Sequence, residues 1–554
     1  MDMRRADFLH RAPFLFILFA AIILLAGCRR SNSSAGSVPP ESQPAPMQTV
    51  ARIHWLGLTR LAQGTNAASF MAVWNLPESR KLEQQTLDKL SLAPWSLLHR
   101  HLATNAAALL PRMLSGLLDD VVSNESRLEI RCASNQPGEL VFAIRLDDRR
   151  AALWQTNLAA ALESLTGIRP VPAPDNHGWS LQKHHVPNFI QLARAGDWTL
   201  LGAAENQNNL LNEFQASLQS GQPPFPMENT NDWLEADLDP ALLVSYLETL
   251  DHTNSNPAVL NFELSTLNHL HLALTGDGAD VLSRGTAGFS RPLALDLKPW
   301  NIPTNLIDQH LSSFTFIRGF QPLLASSSIW TNLQIGPPPD QVYLWSLWGV
   351  FSQSYFVVPL ADPSNAVDRL ADRVLQNQKH WFVTNGIAKF EKSKAFGGLE
   401  WKGLPYMSPF LCSLATNHQN YIYGGGFPPA AVTQPVPLTG AQAALGQPNL
   451  VYHDWEMTGP RTEQCLYMSQ FARLIFHKAQ LPADSAGLLW LMALRPKLGV
   501  SVTDVAQTGP NQLSFTRSSN LGLTAVELNA LADWLESPQF PCGLHTFLAP
   551  PPPM

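Results

Sequence analysis

Two imidazoles, His269 and His271, stand two residues apart in Leu267-Asn268-His269-Leu270-His271-Leu272-Ala273-Leu274. A period of two puts both on one face of an extended strand, an arrangement that zinc can use. The opposite face is Leu270, Leu272 and Leu274, the ordinary pattern of a half-buried strand, and no third ligand is evident from spacing. Glu235, Asp237 and Asp239 also share a strand face and have the chemistry to bind calcium or to work as paired carboxylates. Asp239 precedes Pro240, however, and reads more simply as a helix N-cap, with the other two on a solvated edge. His184-His185 and His99-Arg100-His101 are neighbours in the chain but point apart on a strand or a helix. Cys132, Cys412, Cys465 and Cys542 are scattered too widely for a disulfide framework and read as buried thiols. The spacings therefore assign no catalytic, metal or cofactor residue.

Other chemistry is excluded on similar grounds. Ser180-Leu181-Gln182-Lys183 has the Ser-x-x-Lys spacing of penicillin-recognising serine enzymes. It falls on a predicted strand, where the two side chains face opposite ways, and no Lys-Thr-Gly partner occurs. Gly424-Gly425-Gly426 leads into Phe427-Pro428-Pro429, which cannot open a helix that cradles phosphate. The net charge of -7, with Lys and Arg scattered, leaves no footprint for nucleic acid. The tryptophans Trp154, Trp179 and Trp401 fall in core-facing or strand patterns, not in an exposed sugar-stacking array.

The elements that carry these residues point to a mixed fold. At 554 residues, 45% apolar and 15% charged, the chain is expected to form at least two globular domains. Residues 127–148 alternate as a hairpin, with Leu128, Ile130 and Cys132 on one strand and Leu140, Phe142, Ile144 and Leu146 on the next. Asp147 or Asp148 can cap a following helix whose stripe is Trp154, Leu158, Leu162 and Leu165. The same order recurs 214 residues on without a gap: Leu128 matches Val342, Phe142 matches Phe356, Leu146 matches Leu360 and Asp148 matches Asp362. Further pairs are Ser69–Val73 with Ser313–Ile317, Gly178–Leu181 with Gly398–Trp401, Trp198–Gly202 with Asn420–Gly424, and Thr275–Arg284 with Thr508–Arg517. The first half alone has a helical stretch over 77–122. The expected fold is α+β, two duplicated modules of antiparallel sheet with packed helices, at 49–295 and 296–549, closed by a Pro-rich tail at 550–554. This pattern resembles large exported proteins of Gram-negative bacteria in which hairpin-and-helix modules are duplicated behind a signal sequence, a resemblance that implies no activity.

The leader supplies an address. Arg4, Arg5 and Arg11 precede an uncharged apolar run over 12–27, shorter than the roughly 20 residues of a spanning helix, so 1–27 reads as a signal peptide. The run ends in Leu25-Ala26-Gly27-Cys28, which resembles the lipobox of bacterial lipoproteins. That resemblance implies diacylglycerol on the Cys28 thiol, cleavage before it and acylation of the new amino group. Residues 28–48, rich in Ser and Pro, read as a flexible tether. The resemblance implies lipid anchoring on the periplasmic side of a bacterial membrane, and Arg29-Arg30 in place of an aspartate favours the outer one. The expected function is non-catalytic binding or scaffolding of another envelope component, a protein or a glycan. The alternative is a periplasmic hydrolase whose site is assembled from dispersed residues. No oligomeric state follows from the sequence.

Overall fold

The computed structural model describes residues 46–541 apart from internal segments, of which the longest are 98–108, 244–265, 382–388, 436–441 and 476–483. The signal peptide, Cys28, most of the tether, the tail, His99, His101, His184, His185 and Cys542 lie outside the described residues. Among the described residues no helix is long and apolar enough to cross a membrane. The chain divides into two compact units, 1–290 with 530–554, and 291–529. The last of these residues thus group with the first unit, where the sequence reading assigned 296–549 to the second.

Among the described residues the first unit has ten strands: β1 (Gln48–Trp55), β2 (Ser126–Ala133), β3 (Gln136–Arg145), β4 (Val171–Pro172), β5 (Trp179–Lys183), β6 (Val186–Ala195), β7 (Trp198–Ala204), β8 (Leu234–Leu238), β9 (Leu267–Gly276) and β10 (Val281–Phe289). They pair antiparallel in the order β10-β9-β8-β1-β2-β3-β7-β6-β5-β4. Helices α2 (Leu109–Ser123) and α3 (Asp148–Thr166) bury their apolar stripes on one sheet face, against Ile53, Leu128, Ile130 and Phe142, while α1 (Pro77–Leu97) adds Trp95 to that cluster and packs Leu87, Leu90 and Ala93 against Leu118, Trp534 and Phe540. Asp147 is the residue that caps α3, accepting from Arg150 N at 2.7 Å. Asp120 locks α2 to α3: Arg150 donates to both its oxygens, and Trp154 Nε1 donates at 2.8 Å. Helix α4 (Asn209–Gln219) packs Leu210, Leu211 and Phe214 on the other face, against Val141 and Leu200.

The second unit also has ten described strands: β11 (Leu311–Arg318), β12 (Gln341–Leu347), β13 (Ser354–Pro359), β14 (Lys389–Lys392), β15 (Leu399–Lys402), β16 (Phe410–Ala415), β17 (Asn420–Gly425), β18 (Leu450–Met457), β19 (Val500–Gly509) and β20 (Gln512–Ser519). Their order is β20-β19-β18-β11-β12-β13-β17-β16-β15-β14, again all antiparallel. Strand for strand this is the order of the first unit. The helix after β13, α5 (Pro363–Trp381), starts at Asp362, whose Oδ1 accepts from Asn365 N at 3.2 Å, and it packs Ala366 and Val367 near Phe356 and Val358. Helix α6 (Thr458–Ile475) follows β18, and α7 (Ala525–Glu536) is the last described helix.

The registers refine the alignment of the halves. One cross-strand row in the first unit runs Leu272, Ala236, Ile53, Leu128, Phe142, Leu201. Its counterpart runs Thr503, Asp454, Thr315, Leu344, Phe356, Gly424. Phe142 and Phe356 each lie on a face that the following helix covers, α3 over one and α5 over the other. With the rows matched at Phe142 and Phe356, Leu128 falls level with Leu344 rather than with Val342, because the second hairpin is two residues shorter between the paired positions. In the same match Leu201, the partner of Phe142, falls level with Gly424, the partner of Phe356. Ser69–Val73 is helical, within Ala68–Trp74, so the counterpart of β11 is β1.

Candidate functional site

Charged residues collect on one face of β1, β2, β8 and β9, opposite the apolar face that α2 and α3 cover. Two adjacent rows supply them: His271, Asp237, Arg52 and Glu129, then Glu235, His54 and Arg127. Alternation places them there, since each strand gives its other face to the core.

At one end, His54 Nε2 lies 3.0 Å from Glu125 Oε1, and Arg60 Nη1 donates to Glu125 Oε2 at 2.9 Å. Burial holds the His54 imidazole below its ordinary value, and the nearby Arg127 charge adds to this, although the Glu125 hydrogen bond opposes it. Burial pushes the Glu125 carboxyl upward, but the His54 hydrogen bond and the charges of His54, Arg60 and Arg127 outweigh it, so the net shift is down. Arg127 is roofed by Phe225: its Nη1 donates to the Phe225 carbonyl at 2.8 Å and its guanidinium lies 5.2 Å from the ring centroid. Glu129 accepts from Arg52, Arg131 and Thr49 at 3.1, 2.8 and 3.2 Å.

At the other end, His271 Nδ1 lies 2.9 Å from Asp237 Oδ1. Glu235, on the same strand as Asp237, accepts the Glu228 backbone N–H with both oxygens, at 3.2 and 3.3 Å. That bond folds the loop back over the strand. Burial raises the Glu235 carboxyl, and the charges of Asp237 and Glu228 raise it further, against the backbone hydrogen bond and His271. Glu228, Glu235 and His271 bring one ligand atom each within 4.8 Å of one another, and these are the residues that could hold a metal ion.

The sequence reading paired His269 with His271; His269 is exposed, and the partners of His271 come instead from the neighbouring strand and a loop. Asp239 caps a turn, accepting from Leu242 N at 2.9 Å. Ser180 and Lys183 lie on β5, a strand as expected. Cys132 and Cys412 are buried free thiols and Cys465 is a half-buried one. Glu228 carried no periodic signal, and Glu125 sits in a two-residue connection before β2. The charged parity of Arg52, His54, Arg127, Glu129 and Arg131 was the signal that could have located this face.

The second unit buries its own polar group on the face that is apolar in the first. Thr315 donates to Asp454 Oδ1 at 2.5 Å, and Glu456 Oε1 accepts the Ala525 N–H at 2.7 Å at the start of α7. Arg461 reaches Ser346 and Ser354 at 2.5 and 3.3 Å. Burial raises Asp454, and pushes Glu456 up to about 7. His453 lies 2.6 Å from Asp504 Oδ1 and stacks on Phe316 with 4.7 Å between centroids.

An apolar cavity of about 50 Å³ lies between sheet and helices of the first unit, lined by Leu114, Leu140, Trp154, Leu162 and Leu201 among others. An apolar cavity that holds benzene measures about 150 Å³, so this one is a packing gap, too small for an acyl chain. No family model, curated protein or solved structure matches the chain. The functional reading rests on the residues themselves.

Proposed function

We propose that the chain is a lipid-anchored protein of the bacterial cell envelope, made of two modules duplicated from one ancestor, and that it acts by binding or scaffolding another envelope component. The observation that carries the two-module reading is the identical strand order, reinforced at a glycine pair. Gly178 and Gly398 each precede the strand β5 or β15, and a Cβ on either would fall 2.0 or 1.9 Å from the carbonyl oxygen of Leu192 or Leu411. Those leucines pair with Trp179 and Leu399, the residues after the glycines, and each glycine carbonyl accepts from Ala173 N or Ser393 N. Independent folds have no reason to share such a contact.

Binding rather than catalysis is supported by what the buried charges do. Glu125 answers His54 and Arg60, Arg127 answers the Phe225 carbonyl, and Asp454 and Glu456 answer Thr315 and the start of α7. These groups tie elements together. The anchor is supported by the lipobox at Leu25–Cys28 behind the apolar run; two or three acyl chains there would hold the protein on the membrane, where one holds only reversibly. Labelling cells with a radioactive fatty acid tests it. Wild type is expected to incorporate label and Cys28→Ser to persist as an unlabelled precursor; equal incorporation by both would overturn the anchor.

A further inference from the structure

The imidazole of His271 is 8% exposed, and its Nε2 is buried without a hydrogen-bond partner. Its orientation is not free. Asp237 Oδ1 lies 2.9 Å from Nδ1, which fixes the ring and turns Nε2 to the opposite side. That nitrogen looks toward carboxylates: Glu228 Oε2 is 3.6 Å from Nε2, and an oxygen of Glu235 completes the group within 4.8 Å. When the ring is neutral and Nδ1 carries the proton, Nε2 turns a lone pair toward two carboxylates, a donor set that a cation would complete. The guanidinium groups nearby are otherwise engaged, Arg52 with Glu129 and Arg127 with Glu125 and the Phe225 carbonyl.

We propose that Glu228, Glu235 and His271 bind one divalent metal ion of the zinc class, with Asp237 orienting the histidine. One imidazole nitrogen and two carboxylates are a donor set for zinc, whereas calcium and magnesium favour oxygen alone. The carboxylate behind the imidazole is the usual support of a metal-bound histidine. Metal–ligand bonds of about 2.0–2.1 Å set the edge of a tetrahedron near 3.3 Å, so the 3.6 Å between Nε2 and Glu228 Oε2 needs little change. The Glu228 side chain is 71% exposed, free to swing onto an ion and to admit it from solvent. Three protein ligands leave a fourth position for water or a donor from a bound partner. The register-equivalent positions in the second unit are His453, Trp455 and Val502, which do not repeat the set, so one ion per chain is expected. The site itself does not depend on the anchor or on the duplication; only the count of one ion uses the match between the units.

The test is titration of the purified, chelator-stripped full-length protein with zinc chloride, followed by calorimetry and by metal content after desalting. Cobalt(II), whose visible spectrum reports its ligand field, serves as a second probe. Wild type is expected to take up one zinc. Glu228→Gln and His271→Gln are each expected to bind at least about 10-fold more weakly, and Asp237→Asn about 10- to 100-fold more weakly. Glu228→Gln alters only an exposed side chain and keeps the loop's backbone bond to Glu235, so it decides the matter if His271→Gln does not fold. Failure of wild type to bind zinc would overturn the site. So would a Glu228→Gln protein that binds as tightly as wild type, which would place the zinc on other histidines.

Discussion

Glu456 holds its carboxyl 3% exposed, with the Ala525 N–H as its firmest partner. Its pKa rises from an ordinary 4.5 to about 7, first because burial penalises the charge and then because Asp454 stands close by. A folded state that keeps this proton while the unfolded chain releases it is favoured in acid. The contribution is complete below pH 4.5 and is lost as pH rises through about 7, at up to about 1.4 kcal/mol per pH unit. Glu456→Gln keeps the acceptor for Ala525 and removes the titration. Urea unfolding between pH 5 and 8 is expected to show a flatter stability profile for this variant, with a gain over wild type above pH 7; parallel profiles would refute the assignment. His54 and Glu125 work with the opposite sign, both shifted down, so their contribution weakens as the solution becomes acidic. Such partners are poorly legible in sequence. Asp239 could be read as a cap because its partner lies three residues away, whereas Glu456 and Ala525 meet across 69 residues. His271 and Glu235 meet only through the register of two strands that no local pattern sets.

Elements were more legible than contacts. Alternation located the hairpin of β2 and β3, and a helical stripe located α3, because both signals are complete within some twenty residues. Reading the halves together located β3 and β13, and set Gly178 and Gly398 each before a strand, but an ungapped comparison could not show that the second hairpin is two residues shorter. Turn length is set by backbone geometry, which apolar periodicity does not encode. Ser69–Val73 misled because a short apolar run does not distinguish helix from strand. The glycine pair gives the sharpest check on equivalence. Gly178→Ala and Gly398→Ala each force a Cβ against a backbone carbonyl, so neither neighbour can yield by a rotamer change. Each is expected to destabilise its own unit by at least about 1–3 kcal/mol. Thermal unfolding of the two variants should show comparable losses; a neutral effect at one site would mean the close approach is not common to both.

Across the whole molecule, the two sheets share an order but exchange the polarity of their faces. In the first unit the row Leu272, Ala236, Ile53, Leu128 lies on the apolar side, and the next row places Arg52 with Asp237 and Glu129. In the second unit the same rows read Thr503, Asp454, Thr315, Leu344, then Phe314 with Trp455 and Trp345. The aromatic core of that unit, including Phe316, Tyr343, Tyr355 and Tyr423, therefore occupies the face that carries charge in the first. Cover follows polarity. Leu128 is 4% exposed beneath α2, while Leu344, with no described counterpart of that helix over it, is 40% exposed, and Trp348 nearby is 55% exposed. Exchanging residues between equivalent rows tests this directly. Thr315→Ile, Asp454→Ala and Thr503→Leu together give the second unit the first unit's side chains, and they remove both members of the Thr315–Asp454 pair at once. Replacing a buried polar pair whole by apolar groups is often neutral or stabilising by about 1–4 kcal/mol, against which Thr503→Leu takes the acceptor 2.9 Å from Arg517 Nε. Ile53→Thr, Ala236→Asp and Leu272→Thr make the reverse exchange and bury a carboxylate among Leu128, Ile130 and the apolar stripes of the helices, at a cost above about 3–5 kcal/mol. Urea midpoints for the two triple variants are expected to move apart, the first little changed or raised and the second sharply lowered. Equal losses in both would show that the rows are not equivalent, and the shared strand order would then reflect only a common way of winding ten antiparallel strands.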